Sequence, residues 1–333
     1  MSIFFNYKLN YFISTLILIT SFSIFANETS FITYCKDPLK DPEATRTIYV
    51  IRSVLNTTSC EETLQKLTSI TELSIDKGEI SSVEPLRELI NLSKLSISHG
   101  RITNIEPLSG LVNLRKLILF DHRIENIRPI RNLMNLQELS IANNQIVDIG
   151  PIRGLTNLTN LAIENNQITN IEPLKGLIYL KKLSMSGAFH EIKDIEPLRR
   201  LVALTWLNIG WLKITSIEPL EGLKNLQYLE LGANNITNLE PIKELINLKE
   251  LSIHSNKIVS VEPLRGLLNL ESLNLGGNMI TRAEPLRGLI KLNYLNLVWN
   301  PVIESLELRN NPELCPIDSE NKVLTKWCSD GGR

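Results

Sequence analysis

The chain has 333 residues, 35 of them basic and 36 acidic, for a formal net charge of −1. Such a balance, with no long run of either sign, excludes nucleic acid and an anionic membrane surface as the main partner. Two domains would fit the length, but an internal repeat occupies most of it, and a repeat array grows without a second core.

Residues 1–26 read as a secretory signal peptide: a single Lys8, an apolar stretch from about Tyr11 to Phe25, and Ala26 ahead of the polar Asn27-Glu28-Thr29-Ser30. The stretch is short for a membrane span, so no insertion is expected once it is cleaved. The destination is then the periplasm, the cell surface or the medium. Residues 27–66 form an N-terminal cap with a short helix over Thr63 to Lys66, and residues 304–333 a C-terminal cap with another from Ser319 to Trp327.

Between the caps, residues 67–303, a proline returns at Pro85, Pro107, Pro129, Pro151, Pro173, Pro197, Pro219, Pro241, Pro263 and Pro285, every 22 residues except for one step of 24. A fixed period in this range marks a leucine-rich-repeat solenoid. In one coil Leu155, Leu158, Leu161, Ile163, Ile168, Ile171 and Leu174 are apolar and their neighbours mostly polar. Leu161 and Ile163, two apart, point to one side of a short strand. Asn166 stands where a buried amide bonds the backbone of neighbouring coils, Pro173 suits the start of a helical turn, and Gly176 its release. The strand leucine recurs from Leu73 to Leu295, which predicts 11 strands. The predicted fold is a right-handed solenoid with a parallel sheet on its concave face, short helical or 3-10 turns on its convex face, and disulfide-stapled caps. At Asn166's position Gly78, Gly100, His122 and Leu212 stand in other coils, so the N-terminal third is expected to be less regular.

All four cysteines lie outside the repeats. In an oxidising compartment an even count split between two ends suggests Cys35–Cys60 and Cys315–Cys328. The other pairings would join ends roughly 50 Å apart at about 4.8 Å per strand. Four reduced thiols are the alternative. Zinc fits poorly, since no two cysteines are closely spaced and neither cap holds a histidine.

Ile168-Thr169-Asn170-Ile171-Glu172-Pro173-Leu174-Lys175-Gly176-Leu177 and Asn225-Leu226-Gln227-Tyr228-Leu229 resemble the 22-residue repeats of bacterial internalins, a class shared with a phosphatase-regulatory subunit. The resemblance covers roughly Leu67 to Ile303. It implies a curved array whose strand-lined face grips another macromolecule, in internalins typically a host surface protein. No immunoglobulin-like domain follows the repeats in this sequence, and the caps carry cysteines.

Residues on the sheet face do not serve the core and so report what the surface is for. Just before the strand leucine the column runs Glu72, Lys94, Lys116, Glu138, Asn160, Lys182, Trp206, Tyr228, Glu250, Ser272, Tyr294. Four residues after the leucine, Trp211 and Trp299 appear. The two extra residues of the long coil fall between Met185 and Ile192, which places Phe189 and His190 at the rim beside Trp211. Phe189, His190, Trp206, Trp211 and Tyr228 thus form an expected partner-binding patch, with Tyr294 and Trp299 as a second contact, in a chain only 6% aromatic. The alternative is that Trp206 and Trp211 merely pack on the insertion. On the outer side Glu84 with Arg87, Glu172 with Lys175, Glu196 with Arg199, Glu240 with Lys243, Glu262 with Arg265 and Glu284 with Arg287 read as a solvated face of exposed pairs.

The leading expectation is a monomeric, exported, non-enzymatic protein that binds a protein or glycan partner without a cofactor. A structural scaffold without a specific ligand is the first alternative. A hydrolase built on Ser98, His99 and Asp121 is the second, and a thin one, because Ser98 and His99 are sequence neighbours and serine is common on this face. None of the four histidines lies at ligand spacing to another, so no metal site is expected.

Overall fold

A computed structural model describes residues 30–76 and 78–301. The expected signal peptide, the Cys315–Cys328 bridge and the C-terminal cap with its helix lie outside the described residues. Eleven strands form a single parallel sheet in strict sequence order. They are β1 (Glu72–Asp76), β2 (Lys94–Ser98), β3 (Lys116–Phe120), β4 (Glu138–Ser140), β5 (Asn160–Ala162), β6 (Lys182–Ser184), β7 (Trp206–Asn208), β8 (Tyr228–Glu230), β9 (Glu250–Ser252), β10 (Ser272–Asn274) and β11 (Tyr294–Asn296). Leucine faces leucine at every step, Leu73 with Leu95 and on to Leu273 with Leu295. This register follows from the period itself: any slip by one residue would turn each leucine out of the core.

The other side of each coil is a 3-10 turn such as Glu172–Gly176, with Pro173 in its first positions and the Leu177 amide bonded back to Leu174 O. A side chain two residues upstream of most turns caps them, as when Glu106 N donates to Asn104 Oδ1 at 2.9 Å or Glu196 N to Asp194 Oδ1 at 2.8 Å. All seven expected apolar positions of the Asn166 coil are buried. Five of the six expected outer pairs close, Glu196 with Arg199 at 2.5 Å among them. Glu284 instead meets Arg265 of the preceding coil at 2.8 Å. Being exposed, such pairs contribute little.

Where the chain turns off the strand, the asparagine bonds as expected. Asn166 Oδ1 accepts from Ile146 N at 3.0 Å, while its Nδ2 donates to Ile141 O and Ile163 O at 3.0 and 3.1 Å. A second, exposed ladder was not foreseen: Asn113, Asn135, Asn157, Asn225, Asn247 and Asn269 each donate Nδ2 to a carbonyl 23 residues earlier, at 2.8–2.9 Å. The expected irregularity of the N-terminal third is not observed. The strands β1, β2 and β3, whose coils carry Gly78, Gly100 and His122 in place of the asparagine, run five residues where the others run three.

The N-terminal cap differs from the single short helix expected. It comprises α1 (Ser30–Lys36), α2 (Pro42–Leu55) and α3 (Cys60–Ser69). Asp41 caps α2 by accepting from Glu43 N and Ala44 N, and Ser59 caps α3 by accepting from Glu62 N. Phe31, Ile48, Ile51 and Leu67 bury against the first coil and close the open end of the core. The Cys35–Cys60 disulfide ties α1 to α3.

His190, expected at the rim, is instead 1% exposed. The two extra residues are taken up by a tight turn, Gly187 to His190, which leaves Ala188 and Phe189 outside and returns His190 to the asparagine's place. Gly187 sits at φ 141° against Asn165, where any Cβ would fall 2.9 Å from the Asn165 amide nitrogen. His190 Nδ1 then accepts from Ile168 N at 3.2 Å. His122 performs the other half of the carboxamide's task, its Nε2 reaching Ile97 O at 3.1 Å.

Burial holds the His190 imidazole neutral and drives its pKa down to about 4, and a proton on Nδ1 would remove the acceptor that Ile168 N needs. Between pH about 6.5 and about 4 the unfolded chain therefore takes up a proton that the folded chain does not, and stability falls as pH falls. The loss reaches about 3 kcal/mol across that window. His190→Asn should flatten this part of the stability curve in chemical denaturation. An unchanged slope would show that His190 does not carry it.

Candidate binding surface

The sheet face is built from three columns of side chains per coil, and a fourth residue ends nine of the strands in a left-handed turn. That last column has φ of 50–67° at His99, Asp121, Asn143, Asn165, Trp211, Ala233, Ser255, Gly277 and Trp299. Asparagine, aspartate and glycine accept this conformation readily, whereas bulky side chains resist it. Trp211 and Trp299 are therefore held in a backbone state that costs of order 1–2 kcal/mol each, with indoles 57% and 84% exposed.

Trp206 and Tyr228 face each other across the β7–β8 register, and their rings stack with centroids 4.7 Å apart and planes 7° from parallel. The strand spacing of about 4.8 Å matches the separation of stacked rings, so two aromatics in one column stack without strain. The pair is half-buried. Burial, with Glu230 and Glu250 nearby, pushes the Tyr228 phenol above its usual pKa. Trp206 thus packs on Tyr228 across the sheet. Phe189 is 71% exposed at the tip of the extra turn. That turn and the loop of Trp211 run side by side, joined by Gly187 N to Gly210 O at 3.2 Å. His190 is removed from this group by its burial. Tyr294 is half-buried on β11 and Trp299 follows it, three strands or about 14 Å from Tyr228.

A trough beside the stack is not announced by the sequence. Ser140, Ala162 and Ser184 lie in one column on β4, β5 and β6, flanked by Ile118 on β3 and Trp206 on β7, and the small residues between large ones leave a hollow of about 330 Å³. The signal was present as a run of small side chains in that column, but only the aligned register shows it. Glu164 lines the hollow, and its burial raises the carboxyl pKa. Phe120 also faces this side, in edge-to-face contact with His99 at 5.4 Å.

The hydrolase grouping is not what forms. His99 Nδ1 meets Asp76 Oδ1 at 3.0 Å, on the preceding coil, rather than Asp121. The strand direction explains this, since Asp76 and Ser98 are register partners and His99 follows Ser98 directly. Among the described residues no three metal-ligating side chains converge, and no helix is long and apolar enough to cross a membrane.

This sheet and its turns are shared with known proteins. A family model described as leucine-rich repeats in two copies matches residues 135–176, 156–200, 224–266 and 246–284. A crystal structure of an internalin, InlF from Listeria monocytogenes, is 30% identical, with a TM-score of 0.67 over 77% of this chain and 82% of that one. The chain belongs to the internalin-like leucine-rich-repeat proteins. The functional domain of InlJ, also from Listeria monocytogenes, is 22% identical and shares the fold at a TM-score of 0.67, this chain spanning 55% of it. A plant peptide hormone receptor, RGFR1 in complex with RGF2, shares the fold at 18% identity and a TM-score of 0.56 over 63% of this chain and 36% of that one. No curated protein sequence matches significantly. Leucine-rich-repeat solenoids of this internalin-like kind are protein-binding scaffolds.

The strain at Trp211 has a measurable consequence. Trp211→Asn should leave the fold intact and raise its stability by about 1 kcal/mol, because asparagine tolerates the left-handed turn. A loss of that size would mean that the indole holds the coil together.

Proposed function

We propose that the chain is an exported, non-enzymatic binding protein that docks a protein partner on its sheet face, centred on Trp206, Tyr228, Trp211 and Phe189, with Tyr294 and Trp299 as an outlying contact. The observation that carries this reading is Trp211: an exposed tryptophan kept in a costly backbone conformation does nothing for the fold, and strain of this kind gathers at functional sites. Stacked, half-buried aromatics on a concave face have the composition of a binding hot spot. The fold supports the choice of partner, since a solenoid of this architecture, RGFR1, is seen in complex with RGF2. The Cys35–Cys60 bridge fits an oxidising compartment and hence export, surface display or the periplasm. A host surface protein is the partner class the internalin likeness favours; a glycan is the lesser alternative, because ring stacking also suits sugars.

Trp206→Ala combined with Tyr228→Ala should weaken a captured partner by on the order of 100-fold, at about 2 kcal/mol or more for a hot spot, and leave the unfolding transition nearly in place. Enzymatic deglycosylation of the partner should not change its affinity. Retained affinity in the double variant would remove the docking face, and loss on deglycosylation would make the ligand a glycan.

A second reading, a structural scaffold, is favoured by one observation. Ile90, Val112, Met134, Ile178, Val202, Ile246, Leu268 and Ile290 recur at one position of the coils, on the turn leading back to the sheet, interrupted by Thr156 and Lys224, and all eight are exposed. Such a stripe would suit side-by-side packing of copies. The binding reading expects a monomer at every concentration in sedimentation velocity, whereas association abolished by Val112→Thr with Met134→Thr would favour the scaffold.

A further inference from the structure

The trough beside the aromatic stack holds a half-buried carboxyl and a buried hydroxyl with no side-chain partner but each other. Ser184 is 5% exposed, both residues line the hollow, and the Ser184 hydroxyl faces the Glu164 carboxyl, while neither Ser184 Oγ nor Glu164 Oε2 finds any other partner. A carboxylate answered by a single hydroxyl keeps much of its desolvation cost.

No cation of the chain answers the carboxylate. Lys182 lines the same hollow, but it is exposed and makes no ion pair with Glu164 among the described residues. Lys116 is taken by Glu138 at 2.8 Å, and Lys94 by Glu72 at 2.7 Å. From β5 to β9 this face carries three carboxylates, Glu164, Glu230 and Glu250, against one lysine, Lys182. A positive charge brought from outside is therefore attracted, and the carboxylate that lines the trough, Glu164, is placed to receive it.

The geometry of the trough adds the shape of the guest. Glu164, Ser184 and Trp206 stand on three successive coils, each about 4.8 Å from the next. A cation lying against Glu164 and Ser184 would thus have the Trp206 ring within reach for a cation–π contact. Ala162 and Ile118 offer an apolar wall for a methylene stem.

We propose that this trough takes a lysine or arginine side chain of the partner protein, its stem along Ala162 and Ile118, its cation bonded to Glu164 and Ser184 beneath Trp206. The proposal rests on the docking face argued above and specifies the chemistry of what docks there. Burial, which disfavours the lone Glu164 charge, is relieved when the cation arrives, so the site selects against neutral guests of the same shape.

The probes are Nα-acetyl-lysine methylamide, its arginine counterpart, and the neutral isostere Nα-acetyl-norleucine methylamide, each titrated into the whole protein while the indole N–H resonance of Trp206 is followed, assigned through Trp206→Phe. Saturable shifts with the lysine or arginine probe are expected, at least about tenfold stronger than with norleucine, as a charge-assisted bond requires. Glu164→Gln, which keeps the shape, should reduce cation binding by a similar factor, while Glu230→Gln should leave it nearly unchanged. No saturable shift, an equal response to norleucine, or indifference to Glu164→Gln would overturn the proposal. The partner assay with Trp206→Ala and Tyr228→Ala distinguishes the two failures: if the partner still depends on the stack while the probes do not bind, the docking face stands and only its cation site falls.

Discussion

A coil of 22 residues leaves more main-chain polar groups at its turn than one parallel strand can pair, and the buried carboxamide resolves this. Asn144, Asn166, Asn234, Asn256 and Asn278 each take an amide from the preceding coil and return donors to carbonyls of that coil and their own. The apolar layers supply most of the stabilisation, but an aliphatic side chain at this point would strand those groups without water. Where the asparagine is absent, the structure finds another partner. At Leu212 it is the following coil, whose Asn234 Oδ1 accepts from both Leu212 N and Ile214 N. At His122 and His190 an imidazole stands in, bringing a titratable ring into a space the other coils fill with a neutral one.

Much of the fold could be read because its signals are local and repeated. Leucine spacing, the proline at each turn and the asparagine place each recur about ten times, so errors at one coil are corrected by the next. The cap was less legible because it occurs once. Asp41-Pro42 and Ser59 with Glu62 three residues on are recognisable helix starts, and Ala44, Ile48, Ile51 and Leu55 give α2 a helical apolar period, yet these signals appear once with no repeat to reinforce them, and α1 is too short to show a period. His190 was misplaced for a related reason. The sequence alone places the insertion at the rim as a block, while the core demands that the chain return to the ladder before Ile192, so the extra residues are expelled at Ala188 and Phe189.

The binding surface was half legible. Trp206 and Tyr228 share a column, and the sheet register makes their stack inevitable once the period is fixed. The trough was hidden, because it is defined by volumes missing between Ile118 and Trp206 and by the desolvation of Glu164, neither of which belongs to a single residue. The left-handed column was also invisible: a tryptophan at this place looks like any exposed aromatic until the backbone shows what it costs.

These features divide the sheet face into two electrostatic halves. From β1 to β4 the charges are matched within the protein, Glu72 to Lys94 and Glu138 to Lys116, and Asp76 is held by the His99 ring. A face whose charges are already paired gains little from a charged partner, since each new contact must first break an existing one. From β5 onward the matching stops. Glu164 is half-buried without a counter-ion, Glu230 spends one oxygen on Gly232 N and lies 3.9 Å from the His254 imidazole, and the aromatics gather on this half of the face. The left-handed turn recurs along the whole face, but a tryptophan in it occurs only at Trp211 and Trp299, and no demand of the repeat places unpaired charge, exposed aromatic surface and a bulky indole in that turn on the same half. Their coincidence on one half of one face is what selection for binding would leave and selection for folding alone would remove.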